Sequence, residues 1–113
     1  MEQYYKLNKV RELADGDDSF VAALAQTFLE EVPADADILK QAVENKNYLL
    51  SYQTAHKMKP TIDLFGLGVL EDLIVIQDWG KFEQKDKDIS DKLHVVLTAI
   101  EQASEEIKDD FNL

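Results

Sequence analysis

The sequence contains no cysteine, which excludes disulfides, thiolate metal ligands and thiol nucleophiles. Glycine and proline are scarce, at four and two among 113 residues. With no low-complexity stretch and no internal repeat, there is no segment to read as a linker, and residues 1–113 are read as a single domain. Basic residues are also few: 12 lysines and arginines stand against 23 acids, for a formal net charge of −11. Such a surface repels a phosphate backbone or an anionic bilayer, so neither nucleic acid nor membrane is expected as a partner. Long apolar runs are missing. The most apolar stretch, Leu73 to Ile76, is far too short to span a bilayer, and the opening MEQYYKLNKVREL has no apolar signal region. The expectation is a soluble, cytoplasmic protein. The start at Met1 and the lack of a linker suggest a free-standing one, with a monomer as the default. No glycine-rich loop followed by Lys-Ser or Lys-Thr is present, so no kinase activity of its own is expected.

What is present is helical periodicity, with hardly any strand-like alternation. A short first helix is predicted after Asn8, as N-cap, to about Ala14, with Gly16 as a left-handed stop. The acidic run Asp15 to Asp18 precedes Ser19 and suits the positive end of a second helix, whose apolar stripe is Phe20, Leu24, Thr27, Phe28 and Val32. Pro33 is expected to break that register and open a third helix, with Ile38, Leu39, Ala42 and Val43 inward. After a polar connection at Asn45 to Asn47, a fourth helix is predicted from Tyr48 to about Phe65, closed by Gly66 and Gly68. A fifth runs from Val69 to about Trp79 with Leu70, Leu73, Ile74 and Ile76 inward, punctuated by Gly80. Beyond a charged stretch, the last helix sets Ile89, Leu93, Val96, Leu97, Ile100, Ala103 and Ile107 on one side. The architecture predicted is all-α: an up-down antiparallel four-helix bundle with a short additional N-terminal helix.

Within the fourth helix the segment TAHKMKPTIDLFG stands out. At about 100° per residue, Ser51, Ala55, Met58, Ile62 and Phe65 form the core stripe. His56 then points about 140° away from its centre, onto the outer face. Lys59 and Asp63 lie one and two turns on, Tyr52 one turn back, and Leu49 and Pro60 flank the same direction. An exposed histidine on a helix is ordinarily inert, and lysines on an outer face are ordinarily solvated. Two features weigh against the inert reading here. Lys57 and Lys59 form a basic island in an acidic protein, and Pro60 removes the N–H that would bond the carbonyl of His56. The alternative is a helix that ends at Lys59 with a new one opened by Pro60; because the core stripe keeps its phase across the proline, one kinked helix is the expectation.

The segment AHKMKPTIDLFGL resembles the signature of the histidine-containing phosphotransfer (HPt) domains of two-component phosphorelays, written Ala-His-x-Leu/Ile-Lys-Gly with a later glycine. Ala55, His56, Met58, Lys59 and Gly66 fit it, and YKLNKVRELADGDDSFVAALAQTFLEEVP is similar to the usual opening of that family. The resemblance covers most of the chain in order, the last helix adding only a generic bundle pattern. Pro60 departs from it, standing where the family commonly has glycine. The family often places a glutamine on the next helix near the histidine or its phosphate. By count Asp78 falls at that position, with Gln77 just before it.

The resemblance implies that His56 is a phosphoacceptor and that Lys59 orients the phosphoryl group. It implies a partner-binding face of Leu49, Tyr52, Lys57, Pro60 and Asp63, with Asp63 either holding Lys59 or simply solvated. The partners implied are receiver domains of response regulators or of a hybrid histidine kinase. The chain would need no cofactor of its own, since Mg2+ belongs to the partner receiver. The chemistry suits the residue, because an unperturbed imidazole titrates near pH 6.5 and is mostly a neutral nucleophile at pH 7. A different class remains open: a degenerate HPt-like adaptor that binds a signalling partner without phosphoryl transfer. A hydrolase with paired carboxylates has little support, as no ligand or acid-pair spacing is evident. His94, off the inward stripe of the last helix, is read as structural or solvated, and Trp79 as a packing residue.

Overall fold

The computed structural model describes residues 2–113, and every regular element among them is helical. The order is α1 (Asn8–Ala14), α2 (Asp18–Glu44), α3 (Tyr48–Leu64), α4 (Leu70–Lys81) and α5 (Ser90–Phe111). α3 packs against α2 and α4, α5 against the other sides of α2 and α4, and α1 against α2. The molecule is elongated, 46 × 22 × 20 Å. Its core runs through all five helices, from Val10 on α1 and Phe28 and Leu39 on α2 to Met58 and Ile62 on α3, Leu73 and Ile76 on α4, and Val96, Ile100 and Ile107 on α5.

The largest departure from the sequence reading is at Pro33, which lies inside one 27-residue helix and starts no new one. A proline deprives the carbonyl four residues earlier of its N–H. Val32, Ala36, Leu39 and Ala42 nevertheless keep one buried stripe across it, and that burial outweighs the single missing bond. With no break, the phase of α2 is set by Val21, Ala25, Phe28 and Val32. Phe20 and Ile38, predicted inward, are therefore exposed, and Thr27 faces out and bonds back to the Ala23 carbonyl at 3.1 Å. Leu24 and Val43 are half-buried.

The helix starts follow local chemistry. Asp17 caps α2 by accepting from the amides of Ser19 and Phe20, at 2.9 and 3.3 Å. α1 begins at Asn8 itself, with Leu7 in the cap position and no side-chain cap, and Asp15 and Gly16 both take left-handed angles after it. Asn47 closes the short α2–α3 turn and accepts from the Leu50 amide at 3.2 Å. Asp88 accepts from both the amide and the hydroxyl of Ser90 at the start of α5, which holds its carboxyl below the usual carboxylate range.

At the far end, residues before α1 are strapped across the tips of α3 and α5. Tyr5 and Leu7 are buried, the Lys6 amide donates to the Phe65 carbonyl at 2.7 Å, and the Tyr5 hydroxyl donates to Asp110 at 2.7 Å. Glu106 accepts from the amides of Gln3 and Tyr4. No helix among the described residues is long and apolar enough to cross a membrane.

Candidate functional site around His56

α3 is continuous from Tyr48 to Leu64 with Pro60 inside it. The inward stripe is the one expected: Ser51, Ala55, Met58, Ile62 and Phe65 are each at most 1% exposed. His56 faces out and is exposed. Pro60, also exposed, has no N–H to offer the His56 carbonyl, so α3 lacks that one bond of its ladder.

What fixes the imidazole is the crossing of α3 and α4. Gly80 is the next-to-last residue of α4, and its α-carbon sits against the backbone of α3. A Cβ there would fall 2.5 Å from the Tyr48 carbonyl oxygen and 2.7 Å from the Tyr52 nitrogen. Glycine is thus the residue that lets the two helices touch. Trp79 reinforces the contact. It is 4% exposed, its ring lies 4.6 Å from that of Tyr48, and its indole N–H donates to the Lys87 carbonyl at 3.2 Å, pinning the α4–α5 loop. One turn before Gly80 on α4 is Gln77, and one turn after Tyr52 on α3 is His56. The close crossing brings these two together: Gln77 is 8% exposed, and its Oε1 lies 3.3 Å from His56 Nδ1. Tyr52 stacks along the other flank of the imidazole, with centroids 5.8 Å apart and planes at 28°.

Gln77, and not Asp78, is the residue aimed at the histidine. α4 turns Leu73, Ile76, Gln77 and Gly80 inward, whereas Asp78 is half-buried a hundred degrees further round.

The lysines divide. Lys57 reaches away to α2, where its Nζ lies 3.0 Å from Oδ1 of Asp35, a carboxylate whose side chain is only 11% exposed. Lys59 is half-buried and forms no ion pair with any described residue, so its charge is uncommitted one turn from His56. Asp63 neither holds Lys59 nor stands solvated alone: both its oxygens are bound by Lys9 of α1, at 3.0 and 3.1 Å. Leu49 is 65% exposed one turn beyond Tyr52. The structure therefore gathers His56, Tyr52, Lys59, Pro60 and Leu49 on one outer face and assigns Lys57 and Asp63 to interhelical ties. His94 is exposed on α5 and takes no part in this face.

Two contributions were missed from sequence, the helix crossing at Gly80 and the carboxylate of Asp35, while Gln77 was named there only as the neighbour of Asp78. Gln77 and Gly80 had a signal, since both fall in phase with Leu73 and Ile76. Asp35 had none, because its inward position depends on α2 running straight through Pro33. No group of three or more histidine, aspartate or glutamate side chains among the described residues is placed to hold a metal ion. Compared with protein-family models, curated proteins and solved structures, the chain matches none.

Proposed function

We propose that the chain is a phosphorelay intermediate that accepts a phosphoryl group on His56 from a receiver-domain aspartate and passes it to another receiver. In this reading the four longer helices form an up-down antiparallel bundle, α1 is the short addition, and the protein works in the cytoplasm without kinase activity of its own. The observation that carries the proposal is the exposed imidazole held at Nδ1 by the Gln77 side chain.

A glutamine Oε1 can only accept, so the contact requires the proton on Nδ1 and leaves the lone pair on Nε2. Nε2 is then the nucleophile. It attacks the phosphorus of the partner's aspartyl phosphate in line. The N–P bond forms as the P–O bond to aspartate breaks, and the carboxylate leaves with the electron pair. The ring gains positive charge in the process, and the Gln77 oxygen at Nδ1 is placed to stabilise it. Lys59 supplies a cation to the equatorial oxygens. Magnesium chemistry belongs to the partner's pocket. Passing the group onward is the same step reversed.

The test is to incubate the chain with individually purified, phosphorylated receiver domains. The expected result is label on the wild type and none on His56→Gln. Label that persists on His56→Gln excludes the assignment. A second reading, a binding adaptor without transfer, draws on Pro60, which stands inside α3 one turn after the imidazole. It predicts a receiver complex without label.

A further inference from the structure

The face that carries His56 continues into a groove whose chemistry differs from the rest of the surface. Between the start of α3 and the end of α4 lies a depression of about 460 Å3, lined by Lys46, Tyr48, Leu49, Tyr52, Gly80 and Lys81 together with Asn47 and Glu83. Gly80 makes it possible, since a side chain there would collide with the α3 backbone that the groove runs along. Tyr52 is shared: it lines the groove and stacks on His56. Leu49 at 65% and the adjoining Phe82 at 61% are among the most exposed large apolar side chains. Lys81 extends over the Phe82 ring, 5.3 Å from its centroid.

Charge singles this groove out. It holds two lysines and one glutamate, on a chain of net charge −11. Four other surface grooves carry at least as many carboxylates as lysines. An apolar slot rimmed by cations, on an otherwise acidic molecule, selects a partner that presents an apolar side chain flanked by carboxylates. The repulsive remainder of the surface disfavours docking elsewhere.

We infer that this groove is the docking site for the receiver that exchanges phosphoryl groups with His56. One apolar side chain of the receiver fills the slot between Leu49, Tyr52 and Gly80, and its carboxylates meet Lys46 and Lys81. The inference rests on the function proposed above. It adds that partner choice is made at the α2–α3 turn and the end of α4, about two turns from the reacting nitrogen.

The test uses the full chain and two phosphoryl donors. One is the phosphorylated receiver that labels the wild type. The other is phosphoramidate, which needs no protein docking: the N–P bond to His56 forms as the donor's own P–N bond breaks and ammonia leaves. For the Lys46→Glu/Lys81→Glu double variant, the ratio of receiver-driven to phosphoramidate-driven labelling is expected to fall about tenfold at sub-saturating receiver, through a raised KM. Leu49→Ala is expected to lower the same ratio by a smaller factor. If the wild type is labelled and both variants keep its ratio, the groove is not the docking site, and His56 stands as the acceptor. If no receiver labels the wild type, the phosphorelay reading fails and the groove assignment falls with it.

Discussion

The two sides of α3 treat consecutive residues differently. On the side facing α4, helix backbones touch at Gly80 and a buried glutamine holds the exposed imidazole of His56. On the side facing α2, a buried carboxylate holds the ammonium of Lys57. One residue of sequence separates the two side chains, and about 100° of helix separates their roles. The first contact engages one nitrogen of an imidazole that stays exposed. The second uses up its charge in joining two helices. A basic island in the sequence is therefore not a basic island in space: of its two lysines, only Lys59 forms no ion pair among the described residues.

The comparison breaks most visibly at Gly80. In Gly80→Ala the new methyl has only backbone to displace, so α3 and α4 must separate. We expect a loss of about 1–3 kcal/mol by denaturant unfolding, after the ~1 kcal/mol that alanine returns in helix propensity. Transfer to His56 should fall as well, because Gln77 moves with α4. Wild-type stability in that variant would mean the helices do not touch there. Next come the lysines, which should dissociate cleanly. Lys59→Ala is expected to slow phosphotransfer about tenfold, less than the roughly 10²–10³ that a fully enclosed donor supplies because Lys59 is only half-buried, with an unchanged melting temperature. Lys57→Ala should do the opposite, leaving transfer near the wild-type rate while lowering stability by about 1–3 kcal/mol, because the buried Asp35 carboxylate loses its partner. Equal transfer rates for the two variants would erase the distinction between the two sides of α3.

A remote reference sharpens the contrast. Tyr5, in the strap at the other end, has its phenol pushed well above the ordinary value, first by burial and then by its bond to Asp110. A group whose pKa is raised by folding contributes its full stability below the unfolded value near 10, and loses it as pH rises beyond that. Tyr5→Phe should therefore cost about 1 kcal/mol at neutral pH, and the gap to wild type should narrow above pH 10. Transfer should not change. A gap that stays constant through pH 11 would show that the phenol is not withheld from water.

The parts of this fold that were legible in the sequence are those in which one stripe decides everything. Ala55, Met58, Ile62 and Phe65 keep helical phase across Pro60, so the continuity of α3 and the outward direction of His56 could both be read. Pro33 presented the same problem and was misread, because proline favours the first turn of a helix and Ile38, about 100° from the buried Leu39, read as inward on a helix starting there. Glycine was read only in part. Gly80 does stand one residue from the end of α4, but it also carries a close helix crossing, which a single sequence does not display. The glutamine that holds the ring follows from that crossing, and the bond between Lys9 and Asp63, 54 residues apart in sequence, has no local signal.

The most direct test of the site is to locate the phosphorus. In chain labelled with 15N in its histidine rings and phosphorylated by a receiver, a 31P–15N correlation spectrum reports which nitrogen carries it. With Gln77 holding the proton on Nδ1, the coupling should appear to Nε2 of His56. A coupling to Nδ1, or to His94, would contradict the arrangement described for this site.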